Sequence, residues 1–242
     1  VENSNQATFS FKANLGELRK YIAIDALDYF VPLKSGKTKI ANQNLKGTLF
    51  KNNQGQFQDI DYVIITPAFL SGQAEKLANF HRNYSQLNVK VVNLDAIYHE
   101  FSSGKQDVAA IRNFVKYVYF NASADDKRLK YVNLFGDASF DFKDRIQSNT
   151  NVVPIYQAIN SFSEDEFAFA SDDFFGLMDA DEGRMDYYNE NESWSISIRG
   201  VDIAVGRMIV SSTQQAEELV NKVIDYHDIK SYGNWRNNYV AI

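Results

Sequence analysis

Apolar runs alternate with helical patterns from residue 61 to the end of the chain. Four runs have the length and β-branched composition of strands buried on both faces, and they lie at 62–66, 89–92, 131–135 and 201–205. Apolar residues at helical spacing predict helices over 69–84, 95–101, 107–119 and 213–227. Asp95 and Asp107 are the predicted acidic starts of the second and third helices. A fifth strand is predicted from 238. This succession predicts an α/β fold, with a mainly parallel sheet flanked by helices.

Residues 1–48 have a different pattern. Apolar and polar residues alternate over 7–13, and 21–24 is a second strand candidate, followed by a polar connector. We expect 1–48 to be the end of an upstream β-rich domain, so that the first residue is a cut. Residues 49–236 then form the α/β subdomain, and 237–242 begin the next one. The segment 140–200, with short extended pieces at 152–153 and 194–198, is long enough to predict a functional loop region.

Composition narrows the class of protein. The 242 residues are 45% hydrophobic, with 18 Phe and 14 Tyr, which suffices for a large core. A net charge of −6 argues against nucleic acid as a partner. No apolar run approaches the roughly 20 residues that span a bilayer, and no signal-peptide pattern is present. The chain has no cysteine, so its residues cannot supply a thiolate nucleophile.

Acidic residues near the ends of predicted strands are the candidates for chemistry. Asp137 follows the third strand, where it is either a crevice residue or a turn aspartate. Asp172 and Asp173 precede a Phe-Phe-Gly segment and are cation candidates, or else part of a solvated acidic loop. Arg207 is expected to pair with Asp172 or Asp202. A divalent-cation-dependent hydrolase that uses Asp137 and Asp172 is one alternative function.

Other catalytic patterns are missing from the sequence. The three histidines, His81, His99 and His227, fall at helical positions without a neighbouring histidine or cysteine. Neither a G-x-S-x-G segment nor a glycine-rich phosphate loop occurs. The residues alone therefore indicate a scaffold that can bind ligands, without a catalytic set.

Several segments together resemble the gingipain family of cysteine peptidases, from about residue 40 to the end. The most specific are Leu134-Phe135-Gly136-Asp137, Ala170-Ser171-Asp172-Asp173-Phe174-Phe175-Gly176 and Val205-Gly206-Arg207. Further matching segments lie at 61–66, 80–82, 89–92, 97–104 and 110–114. Residues 40–45 resemble the junction found in the branch of type IX secretion sortases.

The resemblance implies a caspase-like catalytic domain of two α/β subdomains, of which this chain covers the first. In the family, the catalytic histidine lies in a Gly-His segment and the cysteine in an Ala-Cys segment, both in the second subdomain. Neither segment occurs here. We therefore expect no catalytic residue in this chain and no activity from the chain alone.

The resemblance also implies a structural calcium ion, held by Asp172 and Asp202, although Ile196 and Ile198 occupy places where relatives can carry aspartates. No cofactor is implied for the chemistry. The expected activity is removal of C-terminal sorting domains from exported proteins at the bacterial cell surface, followed by transfer to lipopolysaccharide. The expected partners are those substrates and other outer-membrane secretion components. A catalytically inactive binding scaffold of the same family is the other alternative.

Overall fold

The computed structural model describes residues 42–158, 168–180, 182–183, 185 and 200–238, together with residues 12, 16, 18, 20, 22, 24, 27, 30 and 31. The chain divides into two compact units, Val1–Asn42 and Gln43–Ile242. Most of the first unit, including most of the two predicted strands, lies outside the described residues, as do 194–198 and 239–242. No described helix combines the length and apolarity needed to cross a membrane.

Four parallel strands form the sheet of the second unit. They are β1 (Tyr62–Thr66), β2 (Val89–Asn93), β3 (Tyr131–Phe135) and β6 (Ala204–Met208), in the order β2-β1-β3-β6. Tyr62 pairs with Val89 on one side and with Tyr131 on the other, and Tyr131 pairs with Ala204. All five residues of β1 are buried, as expected for a central strand covered on both faces.

The helices in the described part of the chain are α1 (Leu45–Thr48), α2 (Ser71–Tyr84), α3 (Leu94–Phe101), α4 (Val108–Phe120) and α5 (Thr213–His227). Short 3-10 helices cover Ala68–Leu70, Asp125–Lys127, Asp173–Gly176, Ile229–Ser231 and Asn234–Asn237. Asp107 caps α4 as expected, since its side chain accepts from the Ala109 N–H. The cap of α3 is Asn93, not Asp95: the Asn93 side chain accepts from the Asp95 N–H.

The helices bury two cores, one on each face of the sheet. Helices α2 and α5 pack together on one face, over Ile64 and Phe135. On the other face, α3 and α4 pack over Val63 and Leu134. Because successive residues of a strand point to opposite faces, each apolar run supplies both cores. These results confirm the predicted α/β class with a parallel sheet flanked by helices.

The fourth sheet strand differs from its prediction. It was expected over 201–205, but β6 begins at Ala204, whose N–H donates to the Lys130 carbonyl oxygen. Val201 is 45% exposed, and the Asp202 N–H donates to the Gly176 carbonyl, outside the sheet. The register with β3, rather than the apolar run, therefore sets where β6 starts.

The long loop region contains a short antiparallel pair, β4 (Tyr156–Gln157) with β5 (Ala170–Ser171). Residues 152–153, expected to be extended, form a bend instead; the N–H groups of Val152 and Val153 donate to the Asp137 carbonyl. The 3-10 helix Asp173–Gly176 packs against α4 and β6. Gly176 makes this packing close, because a Cβ there would lie 2.8 Å from the Ile203 carbonyl oxygen.

Candidate functional site

Arg207 organises the carboxyl edge of the sheet, where open α/β sheets bind ligands. It lies in the second half of β6, and only 9% of its side chain is exposed. Its guanidinium forms a two-pronged ion pair with Asp172: Nε donates to Oδ2 over 2.8 Å, and Nη2 donates to Oδ1 over 2.7 Å. The ion pair joins β6 to the segment that follows β5.

Backbone carbonyls accept the remaining guanidinium protons. Nη1 donates to the Gly136 oxygen over 2.8 Å and to the Val153 oxygen over 2.7 Å, and Nη2 donates to the Pro154 oxygen over 3.3 Å. The five N–H groups of the guanidinium are thus all bound to oxygen. One side chain connects the end of β3, the 153–154 segment, Asp172 and β6.

Asp137 is a turn residue. Its Oδ1 accepts from the Ala138 N–H over 2.8 Å, and its Oδ2 accepts from the Thr150 hydroxyl over 2.7 Å. Its backbone N–H donates to the Val210 carbonyl over 2.9 Å. These bonds hold the strand-to-loop turn, which matches the second of the two roles weighed for this residue.

The two remaining acids lie at the surface. Asp173 begins the 3-10 helix and is exposed; its N–H donates to the Ser171 hydroxyl oxygen over 3.1 Å. Asp202 is also exposed, and its Oδ2 accepts from the Met178 N–H over 2.9 Å. Asp202 therefore fastens the 176–178 segment to the start of β6.

The described residues around Asp172 do not fit a calcium ion. Both carboxylate oxygens of Asp172 are bound to a guanidinium, which already neutralises their charge. Within the described ranges, no group of three His, Cys, Asp or Glu side chains is arranged to hold a metal. Ile196 and Ile198 lie outside those ranges. Calcium binding through Asp172 and Asp202 stays a prediction, and the geometry at Asp172 does not support it.

The hydrolase alternative required the carboxylates of Asp137 and Asp172 to act together. Among the described contacts, Asp137 binds Ala138 and Thr150, whereas Asp172 binds Arg207. No described hydrogen bond or ion pair joins the two acids. The use of Asp137 and Asp172 in a shared site stays a prediction.

A second arginine near the edge was missed by the sequence analysis. Arg112 on α4 donates from Nε to the Leu177 carbonyl over 2.9 Å, and its Cζ lies 5.4 Å from the centre of the Phe174 ring. Burial lowers the pKa of Arg112, and Glu182 opposes this shift. Arg112 lies in the 110–114 segment of the family resemblance, but no role was predicted for it, because the carbonyl that it binds lies in a loop 65 residues away.

Two of the histidines lie together, His81 on α2 and His227 on α5. His81 and His227 both pack against Phe80, with ring centres 5.1 and 5.2 Å from it. Burial and the neighbouring His227 lower the pKa of His81. The third, His99, hydrogen-bonds Gln43. Among the described contacts, aromatic rings surround His81 and His227.

Comparison with known proteins identifies the fold and the family. Residues 56–242 match the model of peptidase family C25. The chain belongs to this family. Family C25 is the gingipain family of cysteine peptidases, so the predicted resemblance and its caspase- and gingipain-like fold are confirmed.

Among solved structures, the C25 chain resembles dimeric latent PorU from Porphyromonas gingivalis, with a TM-score of 0.62 and 29% identity. The match covers 83% of this chain and 18% of the PorU chain. A structure known simply as a protease matches with a TM-score of 0.44 and 15% identity, over 70% of this chain and 29% of that one, which is too low to support an argument. No curated protein matches the chain.

Proposed function

We propose that this chain is the non-nucleophilic half of the catalytic domain of a C25 sortase, a peptidase that removes C-terminal sorting domains from proteins exported by type IX secretion. The C25 match over residues 56–242, joined to the likeness to PorU, supports the proposal most strongly. Because the chain contains no cysteine, the thiolate would come from sequence outside these 242 residues. The chain alone is then inactive.

The chain would act as a platform in catalysis. The sheet is covered on both faces, and Arg207 fastens its carboxyl edge. Such a rigid support would keep the reacting groups in place, and small displacements of those groups slow a reaction. A second subdomain that packs on it would present histidine and cysteine. The thiolate sulfur would bond to the peptide carbonyl carbon, the C–N bond would break, and the histidine would give its proton to the leaving amine.

The proposed setting is the bacterial cell surface, with exported proteins that carry sorting domains as substrates and outer-membrane secretion components as partners. Lipopolysaccharide is the proposed acceptor in the transfer step. The chain spans 18% of the PorU chain that it matches, so these roles are proposed for the parent protein as a whole.

The test uses the parent protein and a variant in which alanine replaces its Ala-Cys cysteine. We expect the parent to release the sorting domain of a type IX cargo protein, with the cut located by mass spectrometry. The cysteine variant and the 242-residue chain should leave the cargo intact. Cleavage by the 242-residue chain alone would contradict the assignment and favour chemistry on its own acids.

A binding scaffold without activity is the second candidate, because it would share every residue of this chain and nothing in the chain tests for the thiol. It predicts that the parent protein binds the cargo, as measured by surface plasmon resonance, and leaves it uncut. Cargo cleavage that depends on the cysteine would exclude it.

A further inference from the structure

Five oxygen atoms converge on the guanidinium of Arg207. They are the two carboxylate oxygens of Asp172 and the carbonyl oxygens of Gly136, Val153 and Pro154, at 2.7–3.3 Å from the guanidinium nitrogens. We call this set the five-oxygen site. Carboxylate and carbonyl oxygens from separate chain segments are also the ligands that proteins offer to hard cations such as calcium.

The cation in the five-oxygen site is the guanidinium of Arg207, a side chain of the protein itself. The guanidinium is always charged and compensates the single charge of Asp172. With 9% of the Arg207 side chain and 21% of the Asp172 side chain exposed, the pair is largely withdrawn from water. A divalent ion at the same oxygens would meet a fixed positive charge, so the two cations exclude each other.

The shape of the site also matches a guanidinium. A calcium ion holds its oxygens at about 2.3–2.6 Å from one centre. Here each oxygen lies 2.7–3.3 Å from a nitrogen, and the three nitrogens spread around a central carbon, so the oxygens surround a planar group rather than a sphere. The oxygens would have to move inwards to bind a metal ion.

We propose that the five-oxygen site is a cation site whose resident is the Arg207 side chain, and that the carboxyl edge of this C25 sheet is held by that side chain instead of by calcium. The site would accept a guanidinium compound when the side chain is removed. This inference does not depend on the peptidase activity of the parent protein, since it concerns a contact within the 242 residues.

In the experiment, Arg207→Ala in the 242-residue chain empties the site. Methylguanidinium is then added at millimolar concentration to the variant and to the unmodified chain, and the melting temperature is measured. Arg112→Ala is the matched control, because Arg112 is a second partly buried arginine near this edge, and its described hydrogen bond goes to a single carbonyl, that of Leu177. We expect Arg207→Ala to melt about 10 °C below the unmodified chain. Methylguanidinium at ten times its dissociation constant should recover about 3–6 °C. It should leave the unmodified chain and Arg112→Ala unchanged.

Equal shifts in all three proteins, or no recovery in Arg207→Ala, would overturn the proposal. Calcium chloride provides a second measurement, which does not depend on whether the alanine variant folds. It should not move the melting temperature of the unmodified chain through this site. A calcium-induced rise that Asp172→Asn abolishes would show that the ion, not Arg207, binds Asp172, and would also overturn it.

Discussion

Neutralising Asp172 should destabilise the α/β unit far more than neutralising the adjacent Asp173. Asp172→Asn keeps the shape of the side chain but places an amide NH₂ group opposite guanidinium N–H groups, where two donors face each other. Asp173→Asn removes the same charge one residue later, from an exposed side chain. The pair of variants therefore separates the ion pair with Arg207 from a general effect of charge.

The structure gives the size of the expected loss. Removing one partner of a buried ion pair costs about 3–5 kcal/mol, because the other charge stays buried. The Asp172 side chain keeps 21% exposure, and Arg207 keeps three carbonyl partners, so we expect the lower end, about 3 kcal/mol. In a unit of this size that loss lowers the melting temperature by about 6–12 °C. An exposed change such as Asp173→Asn should stay within about 0.5 kcal/mol.

Urea denaturation followed by far-ultraviolet circular dichroism measures both variants under one set of conditions. A double-mutant cycle with Arg207→Met tests whether the loss belongs to the pair. The double variant should lose less free energy of unfolding than the sum of the two single variants, because it leaves neither charge buried alone. Similar losses in Asp172→Asn and Asp173→Asn, or strictly additive losses in the cycle, would refute the reasoning.

Three further predictions concern packing, pH and metal. Gly176→Ala should cost about 1–3 kcal/mol in urea denaturation, since its Cβ would lie 2.8 Å from the Ile203 carbonyl oxygen. Gly206→Ala, whose Cβ would meet open space, is the control and should change little. Because burial and then His227 lower the pKa of His81 in the folded state, the unfolded chain binds more protons as the pH falls through 6.5. The free energy of unfolding should therefore decrease as the pH falls through that range. In His81→Phe, the free energy of unfolding from urea denaturation should depend less steeply on pH. A heat scan with and without calcium tests the calcium prediction at Asp172, for which we expect no shift.

The central strands were predictable because burial on both faces leaves a mark in the sequence. The run at Tyr62–Thr66 is apolar except at its ends and is buried throughout, and Tyr131–Phe135 was likewise located to the residue. The helix Thr213–His227 was also located, since its apolar residues recur on one face. In these elements, the apolar or polar character of each residue matches its burial, so the pattern alone locates the element without information about distant segments.

The predicted position of β6 was wrong because distant segments of the chain supply the partners of its residues. Gly206 and Arg207 follow the predicted strand 201–205, yet both pair with β3. An arginine can occupy this position only because Asp172, 35 residues earlier in the chain, accepts two of its hydrogen bonds. Backbone carbonyl groups accept the remaining hydrogen bonds of Arg207. Every residue has such a group, so no pattern in the sequence predicts which of them will bind the arginine.

The acids at this edge now have a common explanation. Asp137 accepts from Ala138 and Thr150, Asp172 from Arg207, and Asp202 from the Met178 N–H. The acidic residues that suggested chemistry thus fasten loops to strand ends. In the sortase that we propose, such bonds suit a chain that acts as a platform, and the reacting groups would lie on the second subdomain.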